Sequence, residues 1–134
     1  MKTETINELS VTSKSVLMHT TRRFAKVLTE TPEFLAFEQS YQAFRQDQKA
    51  QTAYNALQNK QQALRMMMML NSLDEKERQE LKDLESQFYQ EETVQNYIQA
   101  QENLVELCQD IGDVLTEAVG LDFGSSCRIG GCCG

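Results

Sequence analysis

The sequence contains, at residues 94–120, the stretch VQNYIQAQENLVELCQDIGDVLTEAVG, which decides the expected fold. Its candidate inward-facing residues alternate at intervals of four and three, a spacing typical of a helix packed lengthwise against other helices. They are Tyr97, Gln101, Leu104, Cys108, Ile111, Leu115 and Ala118. Glycine commonly ends a helix, so we predict that this helix stops at Gly120.

The composition changes sharply beyond this helix. Residues 124–134 read GSSCRIGGCCG, and their three cysteines, Cys127, Cys132 and Cys133, stand among glycines. Such a segment is not typical of a packed core. We therefore predict a helical domain over residues 1–122 and a flexible Gly/Cys-rich, metal-binding tail over residues 123–134.

The rest of the chain also indicates helices. Pro32 is the only proline, and all six glycines lie at or after Gly112. Residues 33–111 are rich in the helix-forming residues Gln, Glu, Ala, Leu and Lys. Sustained alternation of polar and apolar residues, the mark of strands, is absent. The sequence predicts an all-α protein.

Local capping signals divide the N-terminal half into two helical segments. Thr5 and Glu8 have the spacing of a capping box, which predicts a first helix running to about Thr29, although the Ser/Thr-rich residues 10–15 could interrupt it. Residues 31–33, Thr-Pro-Glu, predict the start of a second helix. Its apolar residues include Phe34, Phe37, Tyr41, Phe44, Tyr54, Leu57 and Leu64. Asp47 could cap a new helix within this segment, or the helix could continue through it.

A turn is predicted at residues 71–74, with Ser72 or Asp74 capping a third segment that runs from Glu75 to about Gln90. Thr93 is a candidate cap for the last helix. Two long helical arms joined at residues 71–74 form an antiparallel helical hairpin, to which the N-terminal helix is added. Because the apolar stripes are narrow, we expect a second copy to cover them, giving a dimerising bundle.

Charge and hydropathy exclude several classes of function. The formal net charge is −7, which argues against direct binding of nucleic acid. No apolar run exceeds five residues and no secretion signal is evident, so we expect no membrane span and a cytoplasmic location. The basic residues Lys14, Arg22, Arg23 and Lys26 either face acidic helices, in this chain or a neighbour, or form a solvated surface.

The tail carries the candidate chemistry. Thiolates bind zinc or iron–sulfur clusters, and adjacent Cys132 and Cys133 suit a cluster, or a site shared between two chains, better than one zinc ion. Three cysteines are one short of the usual four, so Cys108, a second chain or another partner would complete the site. The alternative is a tail of free or oxidised thiols. Cys108 itself is predicted to lie in the core.

Enzymatic activity is not expected. His19 is the only histidine, and no acidic residue precedes it at the spacing that di-iron bundles use. Phosphate-binding glycine loops, dinucleotide fingerprints and zinc-protease motifs are absent from the sequence.

The chain resembles the YlbF/YmcA family of small bacterial helical regulators. The similarity begins at about Lys14 and includes FLAFEQSYQAF at residues 34–44, DQKA at 47–50, TVQNYIQAQENL at 93–104 and GSSC at 124–127. It implies a helical hairpin that assembles as dimers or mixed complexes. YlbF-like members regulate sporulation, competence and biofilm development together with YmcA-like and YaaT-like proteins.

The resemblance also implies a cofactor. The complexes formed by this family carry iron–sulfur clusters held by cysteines and are linked to RNA processing by RNase Y, and Cys127, Cys132 and Cys133 match the cysteine tail. Our hypothesis is a non-enzymatic regulatory adaptor with an iron–sulfur cluster, or zinc in its place. The alternatives are a metal or thiol carrier that uses the tail, and a purely structural helical scaffold.

Overall fold

The computed structural model describes residues 12–123, which form five helices. They are α1 (Lys14–Thr29), α2 (Pro32–Gln46), α3 (Gln48–Met69), α4 (Glu75–Tyr89) and α5 (Glu92–Val119). No strand occurs between residues 12 and 123, which confirms the all-α prediction for this part of the chain. None of these helices combines the length and the apolar composition that a membrane span requires.

Local capping explains several of the helix boundaries. The Thr31 hydroxyl accepts a hydrogen bond from a first-turn amide of α2, and Pro32 occupies the first helical position. Asp74 and Glu77 form a capping box at the start of α4, with the Asp74 carboxylate accepting from the Glu77 amide at 2.8 Å. Gly120 ends α5 in the left-handed conformation, at φ 77°. These three predicted boundaries are confirmed.

The first described helix begins within the Ser/Thr-rich residues 10–15, where the sequence allowed a break. It begins at Lys14, and the Ser13 side chain caps it by accepting a hydrogen bond from the Val16 amide at 3.3 Å. Residues 12 and 13 are not helical, which agrees with the predicted alternative of a break in the Ser/Thr-rich residues 10–15, because serine at this position satisfies a free helix-end amide and so favours a helix start. The predicted end at Thr29 is confirmed, whereas the capping box predicted at residues 5–8 lies outside the described residues.

The helices pack in pairs along the chain. Helix α2 packs mainly against α5, and α3 packs mainly against α4. A 2.6 Å ion pair between the Lys60 ammonium on α3 and the Glu80 carboxylate on α4 joins the second pair of helices. Six hydrophobic residues are buried within the described part of the chain: Ala50, Leu57, Leu64, Leu81, Val94 and Ala100. The core is therefore a narrow seam between helices.

Only part of the stripe predicted for α5 is covered. Tyr97, Leu104 and Ile111 are half-buried, whereas Cys108 and Leu115 are exposed, as are Gln101 and Ala118. The prediction that Cys108 lies in the core is wrong for this chain. The physical reason is that α5 contacts the rest of the chain along a line narrower than the apolar stripe.

Candidate functional site

The structure gives no location for the predicted metal ligands. Cys127, Cys132 and Cys133 lie outside the described residues. Residues 12–123 contain no group of three or more His, Cys, Asp or Glu side chains that could hold a metal ion. Cys108 is exposed on α5 and His19 is exposed on α1. The described helices therefore do not themselves form a metal site, and a cluster would depend on the tail cysteines.

A polar contact joins the two helical breaks in the middle of the molecule. The Thr93 hydroxyl donates to Asp47 Oδ2 at 2.8 Å, linking the α4–α5 break to the α2–α3 break. Asp47 Oδ1 caps α3 by accepting from the amides of Lys49 and Ala50 at 3.1 and 3.2 Å. The Lys49 ammonium lies 3.3 Å from Glu91. We call these residues, 47, 49, 91 and 93, the joint.

The contacts of the joint decide two questions from the sequence analysis: whether Asp47 starts a new helix, and whether Thr93 caps the last one. Asp47 does start a new helix, so the chain breaks between α2 and α3. Thr93 does not cap α5, which begins at Glu92 after Glu91, a residue with no side-chain capping bond. The predicted role of Thr93 as a cap is wrong because its hydroxyl bonds instead to a carboxylate 46 residues earlier.

Aromatic rings pack beside the joint. Phe44 lies between α3, α4 and α5, with its ring centroid 6.2 Å from that of Tyr54, 6.2 Å from Phe88 and 5.7 Å from Tyr97. Phe37 extends the cluster along α2, 5.6 Å from Tyr97. Edge-on and offset ring pairs of this kind add to the stability gained from burial. The cluster holds four helices together at the point where both arms change direction.

Hydrogen bonding at the joint favours the charged form of Asp47. The Thr93 hydroxyl, and after it the Ala50 amide, hold the pKa of the Asp47 carboxyl below its ordinary value of 3.8. A folded-state pKa below the unfolded one means that the stabilisation is fully present above the ordinary value. It is lost as the pH falls through the lowered pKa.

We expect Thr93→Val to lower the urea midpoint of unfolding near neutral pH, and the difference from the wild type to shrink as the pH falls below 3.8, the ordinary pKa of the Asp47 carboxyl. The cause is the loss of the hydroxyl that stabilises the Asp47 carboxylate. Thr52→Val is the matched control, because the Thr52 hydroxyl bonds only to the Gln48 carbonyl of its own helix. An equal, pH-independent loss in both variants would contradict the assigned role of the joint.

Two further surfaces are candidates for binding other proteins. Every residue of α1 is exposed except Leu28, which is half-buried, although the helix carries several large apolar side chains. The distal part of α5, residues 101–119, exposes a second apolar row that includes Val105, Leu115 and Val119. Sequence periodicity detected both helices but could not show which sides the chain itself leaves uncovered.

The chain was compared with known families and proteins. The family model described as control of competence regulator ComK, YlbF/YmcA, matches residues 17–120 and so includes all or most of each described helix. Comparison with curated proteins and with solved structures gives no significant match. Because the family match spans most of the sequence, the chain belongs to the YlbF/YmcA family.

Proposed function

We propose that this protein is a non-enzymatic regulatory adaptor that acts in a complex with other proteins in the cytoplasm. The observation that carries the proposal is the contrast between its narrow core and its exposed apolar surface. Six hydrophobic residues are buried between residues 12 and 123, whereas large apolar side chains are exposed along both α1 and distal α5. Exposed patches of this kind are typical of protein-interaction surfaces.

In this proposal the helices form an antiparallel hairpin that works as a dimer or in a mixed complex. The pairing of α2 with α5 and of α3 with α4, on either side of the turn at residues 70–74, supports the hairpin. The family match, with its description as control of the competence regulator ComK, supports a regulatory role. YmcA-like and YaaT-like proteins are the partners we propose, with RNA processing by RNase Y as the regulated process.

The second part of the proposal concerns the tail. Cys127, Cys132 and Cys133 supply three thiolates for an iron–sulfur cluster, with the fourth ligand coming from a second chain or from a partner. Zinc is the alternative metal. The described helices contain no metal-binding group of their own, so they act as a frame that carries the tail. Cluster occupancy would then report iron or redox status to the partner.

Genetic complementation tests the regulatory role. Deleting the gene in its native host should lower transcription of competence genes several-fold, and the full chain supplied on a plasmid should restore it. Unchanged transcription in the deletion strain would contradict the proposal. In parallel, the tagged chain should co-purify with the YmcA-like and YaaT-like proteins of the same host. A chain truncated after Asp122 that keeps both properties would favour a structural scaffold instead.

A further inference from the structure

Helix α1 is amphipathic, and the other described helices leave most of its apolar side exposed. Val16, Leu17, Phe24 and Val27 are all exposed, with Leu17 60% and Val27 59% accessible. A helix of 16 residues is only marginally stable in water unless its apolar side is packed. The surface of α1 therefore indicates that another helix covers it in the working assembly.

The charges of α1 are entirely basic. It carries Lys14, Arg22, Arg23 and Lys26 and no acidic residue. At 100° per residue, Arg23 lies at one edge of the apolar side, with Lys26 next to it on the same flank, whereas Arg22 lies opposite the apolar side. Neither ion pair between residues 12 and 123 involves α1, so its positive charge is not neutralised within the described part of the chain.

The distal part of α5 has the opposite charge. Helix α5 contains no Lys or Arg, and five of its acidic residues lie along one side beyond residue 100. These are Glu102, Glu106, Asp110, Asp113 and Glu117. A row of mainly apolar or small residues runs beside them at intervals of four and three, namely Gln101, Val105, Cys108, Gly112, Leu115 and Val119.

This row leaves room for a closely packed helix. Val105, Leu115 and Val119 are exposed, and a Cβ placed on Gly112 would meet no atom within 4 Å. Glycine inside a helix weakens it by about 0.5–1 kcal/mol relative to alanine, and packing within this chain does not require it here. The distal α5 row, like α1, thus carries apolar side chains, Val105, Leu115 and Val119, that are exposed within residues 12–123.

We infer that α1 of one chain packs against distal α5 of a second copy of the same chain, apolar side to apolar row, with Arg23 and Lys26 beside the acidic line. The two surfaces match in length, about 24 Å for α1 and about 28 Å for residues 101–119. The inference deepens the proposed function and rests on it for the premise that the chain works in an assembly. Electrostatic complementarity of this kind selects the partner and the orientation.

The link between α1 and α2 disfavours the same contact within one chain. Only Glu30 and Thr31 separate the two helices. Their amides donate to the Val27 and Leu28 carbonyls, and the Thr31 hydroxyl also donates to the Leu28 carbonyl at 2.7 Å. This hydrogen-bonded link fixes the direction of α1 relative to α2, so α1 does not fold back along α5 of its own chain.

An anionic membrane surface is a weaker candidate for the occupant of α1. Basic amphipathic helices do bind such surfaces. The chain as a whole carries a net charge of −7, however, and would be repelled by them. A membrane would also leave the acidic, apolar surface of distal α5 unexplained, whereas a second copy covers both surfaces at once.

Charge reversal in the full chain tests the inference. Self-association is measured by light scattering and analytical ultracentrifugation, with reductant and chelator present so that the tail cysteines cannot bridge two chains. We expect the wild-type chain to dimerise. Arg23→Glu with Lys26→Glu, or Glu106→Lys with Asp113→Lys, should each weaken dimerisation roughly 100-fold, because like charges then oppose each other. Circular dichroism checks that each variant remains helical.

Mixing the two double variants provides the decisive test. An equimolar mixture of the two double variants should restore the dimer as a heterodimer, since both of its α1–α5 contacts then pair opposite charges. The matched control is Arg78→Glu with Lys82→Glu on exposed positions of α4, which makes the same change in net charge as reversal on α1 and should leave the dimer intact.

Several results would overturn the inference. They are a monomeric wild-type chain, equal loss in the α4 control, or failure of the mixture to form a heterodimer. If dimerisation recovered only when all four changes were present in one chain, the contact between α1 and α5 would lie within the chain. Binding of a monomeric chain to phosphatidylglycerol vesicles would assign α1 to membranes. If dimerisation fails while complementation succeeds, the inference falls and the proposed function stands; the reverse result would reject only the function.

Discussion

Replacing Leu57 with alanine is expected to lower the free energy of unfolding by about 2–4 kcal/mol, a large part of the stability of a chain with so narrow a core. Leu57 is 5% exposed on α3, the helix that packs against α4. Truncation removes the apolar surface that the side chain buries and leaves a cavity that long helices close only partly. With five other buried hydrophobic residues between residues 12 and 123, little packing remains to compensate.

The matched control is Leu35→Ala, which makes the same chemical change on α2. Leu35 is 46% exposed, so its truncation should cost less than about 1 kcal/mol. Both variants are unfolded with urea and followed by circular dichroism at two protein concentrations, because dimerisation adds a concentration-dependent stability. Equal losses at the two positions would contradict the assignment of the core to the seam between helices.

The sequence predicted helix boundaries where the signal was local. Thr31 and Pro32, Asp74 and Gly120 each act on the turn of backbone next to them, so their effect can be inferred without knowing the rest of the fold. The joint could not be predicted in this way. Asp47 and Thr93 are 46 residues apart, and their hydrogen bond depends on the register between the two arms.

The error in the α5 stripe has a related cause. The predicted stripe combined residues that the chain half-buries, such as Leu104 and Ile111, with residues of the exposed row, such as Cys108 and Leu115. Both sets have helical periodicity, and periodicity records that a side chain packs without recording against which chain. A helix with one partner inside the chain and a second outside it therefore gives a single broad stripe in the sequence.

The candidate metal site was predicted from residue type and resemblance alone. Thiolates among glycines indicate metal binding, but local sequence does not fix which cysteines meet or what supplies a fourth ligand. Cys127, Cys132 and Cys133 lie outside the described residues, so the metal site stays a prediction. What the described helices add is the exposed position of Cys108, on the α5 row that we assign to a second copy.

Replacing Cys127, Cys132 and Cys133 together with serine is expected to abolish binding of an iron–sulfur cluster while leaving the helices unchanged. Protein purified without oxygen should show broad visible absorption that bleaches on reduction, with matched iron and sulfide, and the triple variant should lose all three signals. If the wild-type chain is colourless, reconstitution together with the YmcA-like and YaaT-like partners is the sample to compare.

The helical frame should survive this triple change because the replaced residues lie beyond Gly120, where α5 ends. Circular dichroism and the urea midpoint should match those of the wild type.

Cys108→Ser is the matched single control and should keep its cluster, since we assign Cys108 to the contact with α1 of a second copy. A cluster retained in the triple variant would exclude the tail as the site, and loss from Cys108→Ser would make Cys108 a ligand. Zinc without iron in the wild type would favour a carrier or a structural site, because Zn²⁺ itself does not change oxidation state.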